Sequence, residues 1–157
     1  MSRLAFLAAI ALLAGCSSEG TLLQTSGGGA PLPAASAWSV AVTGCPQASQ
    51  CESIRNQVSM QLVSSGLART ITTSGEDRAL DIRVTNLRVV PPAARVFGGV
   101  FAGRNEVNST VTVRSRGAVL RTFDVKSASG SNMIGGQSFE VDAYKKMASQ
   151  LVDALRT

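Results

Sequence analysis

The sequence predicts an α/β fold, a small sandwich of a mixed four- to five-stranded sheet with two helices in the order β-α-β-β-β-β-α. Three observations carry that expectation. Apolar residues alternate with polar ones at Trp38 to Val42, Leu80 to Val84 and Val107 to Val113, the period of strands that bury one face. Two other stretches repeat their apolar residues every three or four positions: Ile54, Val58 and Leu62 in one, and Val141, Tyr144, Ala148, Leu151 and Leu155 in the other. That is the period of helices with one buried stripe. The chain has 157 residues, and once an amino-terminal segment outside the fold is set aside, its length suits one domain.

That amino-terminal segment reads as an address. Arg3 precedes an uncharged apolar run from Leu4 to Leu13, and small residues follow at Ala14 and Gly15. The run has the length of a signal-peptide core and is too short for a spanning helix. Leu12-Leu13-Ala14-Gly15 leads directly into Cys16, a pattern that resembles the lipobox of bacterial lipoproteins. The resemblance implies cleavage before Cys16, acylation of its thiol and a further acyl chain on the new amino terminus. Residues 1–15 are then a cleaved signal, and Cys16 is the attachment to the membrane. Each buried methylene contributes about 0.8 kcal/mol, so several chains hold where one would exchange. Ser17 and Ser18 stand where that family's inner-membrane retention signal would place Asp, which directs the expectation to the periplasmic face of the outer membrane.

Residues 16–36 hold Gly27-Gly28-Gly29, Pro31, Pro33 and many small polar residues, the composition of a flexible tether. Drawn out, such a segment reaches about 65 Å. The periplasmic domain is expected over 37–157. Its first strand runs through Trp38, Val40 and Val42, and Gly44 and Pro46 turn the chain out of it. Ser49 with Glu52 three residues later predicts a capping box for a helix from Ser49 to Ser65, stopped by Gly66. A β-branched strand spans Leu67 to Thr73. In the next strand Leu80, Ile82 and Val84 share one parity while Leu87 and Val89 take the other, a phase slip that marks a bulge or bend. Pro91-Pro92 ends it. Ser115-Arg116-Gly117-Ala118 joins Val107–Val113 to Val119–Val125 as a hairpin. Ser138 caps the closing helix, with Glu140 and Asp142 in its first turn, where the helix dipole favours acids.

Cys45 and Cys51 form an even pair once Cys16 carries lipid, in a compartment where disulfides persist. Two thiolates in a chain with no histidine make a poor zinc site, and the spacing is not that of a redox Cys-x2-Cys. A structural disulfide is expected, with free thiols as the alternative; closing so small a loop is worth roughly 2 kcal/mol.

One segment does not read as an ordinary connection. Arg95-Val96-Phe97-Gly98-Gly99-Val100-Phe101-Ala102-Gly103-Arg104 repeats Val-Phe-small-Gly between two arginines. Phe97 and Phe101, flanked by Arg95 and Arg104, either meet a bilayer or partner protein or pack back on the domain. The second is the commoner arrangement for apolar loops. The segment lacks the Gly-x4-Gly-Lys-Ser/Thr spacing of a phosphate loop.

The whole chain carries a formal charge of +5, and its aromatic residues are five Phe, one Trp and one Tyr. Arg55, Arg69, Arg83, Arg88, Arg114, Arg116 and Arg121 are expected mostly at polar phases, as on a solvated surface. Nucleic-acid binding would want a basic cluster interleaved with aromatics and is excluded. The absence of histidine excludes Ser-His and Cys-His nucleophile systems. The acid pairs Glu76-Asp77 and Glu140-Asp142 fall in a turn and at a helix start, where acids are ordinary. No catalytic residue, metal site or cofactor is predicted.

Cys16 behind its lipobox, the strand at Val40, the helix ending at Ser65-Gly66-Leu67 and Leu80-Asp81-Ile82-Arg83-Val84 make the first part of a wider likeness. Gly98-Gly99 and Ala102-Gly103 ahead of a Thr-Val-Thr-Val hairpin, and the closing Ala/Leu helix, complete it. Together they resemble small bacterial lipoproteins with a domain of unknown function of the 4410 type, distantly similar to the amino-terminal domain of TolB. The Ser115-Arg116-Gly117 turn departs from that family, which often has Asp before the glycine. The resemblance implies an accessory or assembly role in the cell envelope, with an unidentified periplasmic or outer-membrane protein as partner. The alternative is a subunit of an export or transport assembly that uses loop 95–104.

Overall fold

A computed structural model describes residues 20–26, 32, 35–74, 77–91, 93–94, 103–129 and 139–157. Cys16, Glu76, Arg95, Phe97, Phe101 and Ser138 lie outside the described residues. The predicted order is present with one strand ahead of it. The elements are β1 (Gly20–Ser26), β2 (Ala35–Thr43), α1 (Ala48–Ser64), β3 (Ala68–Thr72), β4 (Arg78–Arg88), β5 (Glu106–Ser115), β6 (Ala118–Ala128) and α2 (Phe139–Arg156). They build one mixed six-stranded sheet in the order β1-β6-β5-β4-β2-β3. β2 pairs in parallel with β3 and β4, and the remaining pairs are antiparallel.

β1 lies within 16–36, the segment expected to be a tether, and adds one edge strand to the predicted sheet. It pairs antiparallel with β6 from Gly20↔Ser127 to Ser26↔Thr122. A ladder along a sheet edge uses main-chain N–H and C=O groups, so it can form without the alternation by which other strands are recognised.

Both helices cover the same face of the sheet. α1 packs on β2 and β3, α2 on β1, β5 and β6, and the helices touch each other. The core takes alternate residues of each strand, Leu80, Ile82 and Val84 from β4, Val107, Val111 and Val113 from β5, Phe123 and Val125 from β6. Ile54, Val58 and Leu62 of α1 and Tyr144, Met147, Ala148, Leu151 and Leu155 of α2 close it from above. Trp38 is fully buried, and its indole Nε1 donates to the Leu67 carbonyl at 3.0 Å, the partner that a buried indole needs.

The phase slip is a bulge. The β4–β5 register shifts between Val84 and Asn86, so that Leu87 comes to pair with Val107. The extra residue restores Leu87 to partial burial against the core. The β5–β6 hairpin turns at Arg116 (φ 49°) and Gly117 (φ 82°), two successive left-handed residues as a two-residue type I′ turn requires. The capping box is absent: the residue before α1 is Gln47, with no side-chain cap, and Ser49 lies inside the helix. The Cys45–Cys51 disulfide, with a Cα–Cα distance of 5.6 Å, joins the approach to the helix to its first turn. Glu52 pairs instead with Arg55 at 3.6 Å on the surface.

Candidate functional site

Strand directions sort the functional candidates between the two ends of the sheet. At one end lie the exits of β2, β4 and β6, the entries of β1 and β5, and the first turns of both helices. Cys45, Cys51 and Arg104 all fall there. A single side chain organises this end. Asn105 is 3 % exposed, and its Oδ1 accepts the Val90 N–H at 2.7 Å. Its own N–H donates to Ser129 Oγ at 3.2 Å, and its carbonyl accepts the Ser129 N–H at 2.9 Å. One residue thereby ties the exit of β4, the entry of β5 and the exit of β6. Both ends of the 91–104 connection and the start of 129–138 leave from this fixed platform. The Arg88 guanidinium lies against Gly103, where a Cβ would collide with it. Arg104 is half-buried, so it does not stand wholly in solvent as a flanking charge would. Asn105 carries no spacing signal in the sequence; only its place beside an apolar strand entry hints that its amide is buried.

The opposite end gathers the carboxyl ends of both helices, the hairpin tip, the entries to β2 and β4, and two arginines. Arg121 corrects the expectation of a solvated residue. It is 2 % exposed and shares the core face of β6 with Phe123, Val125 and Ser127. Its Nη1 donates to the Ala154 carbonyl in the last turn of α2 at 3.2 Å, where a cation is favoured by the helix dipole. Its Nη2 is buried without a hydrogen-bond partner. Arg78, 9 % exposed at the first position of β4, lies over the Trp38 ring at 5.8 Å from its centroid, and its Nη1 is likewise buried and unpartnered. Burial lowers the Arg78 pKa from its ordinary value, Arg121 lowers it further, and Asp77 acts in the opposite sense. Arg55, Arg69, Arg83, Arg88 and Arg116 are exposed as expected. The signal for Arg121 was present in the sequence, since it holds the same parity as Phe123 and Val125.

Of the acid pairs, Glu76 lies outside the described residues and Glu140 and Asp142 stand in the first turn of α2. Glu140 accepts a hydrogen bond from the Tyr144 hydroxyl one turn along α2, and burial, reinforced by Glu140, pushes the Tyr144 pKa well above its ordinary value. Asp142 is exposed. Among the described residues there is no group of three or more Cys, Asp or Glu able to hold a metal ion, and no helix long and apolar enough to cross a membrane.

No family model and no curated protein matches the chain. Solved structures share its fold. A variant PelC dodecamer from Paraburkholderia phytofirmans is 19% identical with a TM-score of 0.60, over 88% of this chain and 98% of that one. A second PelC dodecamer from the same organism is 15% identical with a TM-score of 0.64, over 88% and 99% of the two chains. A Xanthomonas campestris protein of the DUF330 family, an uncharacterised family, is 12% identical with a TM-score of 0.45, over 80% and 83%. At these identities the PelC likeness establishes the fold.

Proposed function

We propose that the chain is a periplasmic lipoprotein, anchored to the outer membrane through Cys16 and acting as a non-catalytic interaction or assembly module of the envelope. The observation that carries this reading is the position of β1. Gly20 pairs with Ser127, and Ala128 pairs with Glu106 at the entry to β5. The lipid-bearing Cys16 precedes Gly20 by four residues, a reach of at most about 14 Å. Adjacent strands are about 4.8 Å apart, so the anchor and both ends of the 91–104 connection converge on one end of the domain. On this reading that end faces the bilayer, and Phe97 and Phe101 of the 91–104 connection meet lipid or a membrane-bound partner.

The fold shared with PelC dodecamers favours one form of this role, a subunit of a homo-oligomeric export or transport assembly with loop 95–104 turned to the membrane. The test combines processing and size. Cys16→Ala is expected to leave an unprocessed precursor and to lose outer-membrane fractionation, while the wild-type protein shows an acylated Cys16 by mass spectrometry. A mature terminus without acyl groups overturns the anchored reading. Light scattering in detergent separates the forms: a closed ring supports the assembly subunit, and a monomer supports the accessory module.

A further inference from the structure

We infer that Arg78 and Arg121 form a site for an oxyanion, a carboxylate or phosphate, at the end of the domain that carries the helix carboxyl termini. Each guanidinium has part of its donor set engaged. Arg121 Nη1 holds the Ala154 carbonyl, and the Arg78 guanidinium lies over the Trp38 ring at 5.8 Å from its centroid. Each also keeps one buried nitrogen with no acceptor, Nη2 of Arg121 and Nη1 of Arg78. A buried cation whose donors are not all satisfied is costly, and Arg121 adds a repulsion on Arg78 that the smaller opposing effect of Asp77 does not cancel. A buried lysine or carboxyl group relieves such a cost by changing its protonation, but a guanidinium keeps its proton throughout the accessible range. An anion that accepts from both free nitrogens relieves it.

The geometry also indicates which anion. Guanidinium forks match the two or more oxygens of carboxylate and phosphate and discriminate against a spherical halide. The helix carbonyl ends and the Asp77 carboxylate disfavour negative charge at this end of the fold, so the attraction comes from the arginines. Specificity then resides in their paired donors and not in general positive potential. Arg78 retains the larger exposure of the two and stands at the first position of β4. Trp38, whose ring lies beneath Arg78, reports on occupancy, and it is the only tryptophan in the chain.

The experiment is thermal unfolding of the full chain in detergent, followed by Trp38 fluorescence, with inorganic phosphate, acetate or chloride at constant ionic strength. A saturable rise in Tm of about 4 °C at ten times Kd is expected with phosphate, acetate or both, together with a change in native Trp38 emission. Chloride is expected to give neither. The oxyanion giving the larger rise at equal concentration is the one the site prefers. Arg78→Gln is expected to unfold cooperatively and to lose the anion-dependent rise, and Arg78→Lys, which keeps the charge without the fork, to bind at least tenfold more weakly. Absence of a saturable rise in the wild type, or an undiminished rise in Arg78→Gln, overturns the site and leaves both arginines with packing roles alone.

Discussion

Asn105→Ala probes the platform from which the loops depart. The substitution removes the Oδ1 that accepts the Val90 N–H at 2.7 Å. It leaves the two main-chain contacts with Ser129 in place. Val90 is 6 % exposed, so removing this buried acceptor of its amide costs about 1–3 kcal/mol. With a urea m-value of about 2 kcal/mol/M for a domain of this size, the unfolding midpoint is expected to fall by roughly 0.5–1.5 M. Trp38 is buried at the far end of the sheet, so its fluorescence follows global unfolding without sensing the mutation directly. Hydrogen exchange supplies the local half of the test. The Val90 amide should lose protection by more than the global destabilisation accounts for, while amides of the β5–β6 hairpin follow the global change. An unchanged Val90 exchange rate together with a midpoint within 0.2 M of wild type would refute the idea that Asn105 fastens the three segments.

Two further perturbations follow from contacts elsewhere. Gly44 has φ +83°, and a Cβ there would run into the carbonyl of Val84; Gly44→Ala is therefore expected to cost at least about 1–3 kcal/mol, read as a lower Tm, and a neutral outcome would contradict the close approach of β2's exit to the β4 bulge. The Tyr144 pKa is raised chiefly by burial and secondly by its hydrogen bond to Glu140. Above about pH 10 the unfolded chain releases a proton that the folded chain retains, so the contribution of Tyr144 is complete below pH 10 and is lost as the pH rises beyond it, at up to about 1.4 kcal/mol per pH unit. Tyr144→Phe should flatten that part of the stability profile, measured by urea unfolding between pH 9 and 11.

What local sequence determined is what local physics controls. Alternation at Leu80, Ile82 and Val84, the parity change at Leu87, the paired turn residues Arg116 and Gly117 and the four-residue repeats of α1 and α2 reflect burial of one side of one element, and each appears in the fold. Cys45 and Cys51 were legible for a similar reason, since their short separation lets a bridge close within one turn. The capping box failed although its spacing was right, because the bridge, and not a side-chain cap, occupies the start of α1. Tertiary structure alone decided three things. β1 joins the sheet through main-chain hydrogen bonds along the edge of β6, for which linker composition gives no sign. Asn105 meets Val90 and Ser129 only when three distant segments come together. Arg121 sits on an apolar parity, but only the placement of Ala154 and Arg78 around it turns a charge that composition assigns to solvent into a buried donor, because the free energy of a guanidinium depends on its neighbours in space and not on its neighbours in the chain.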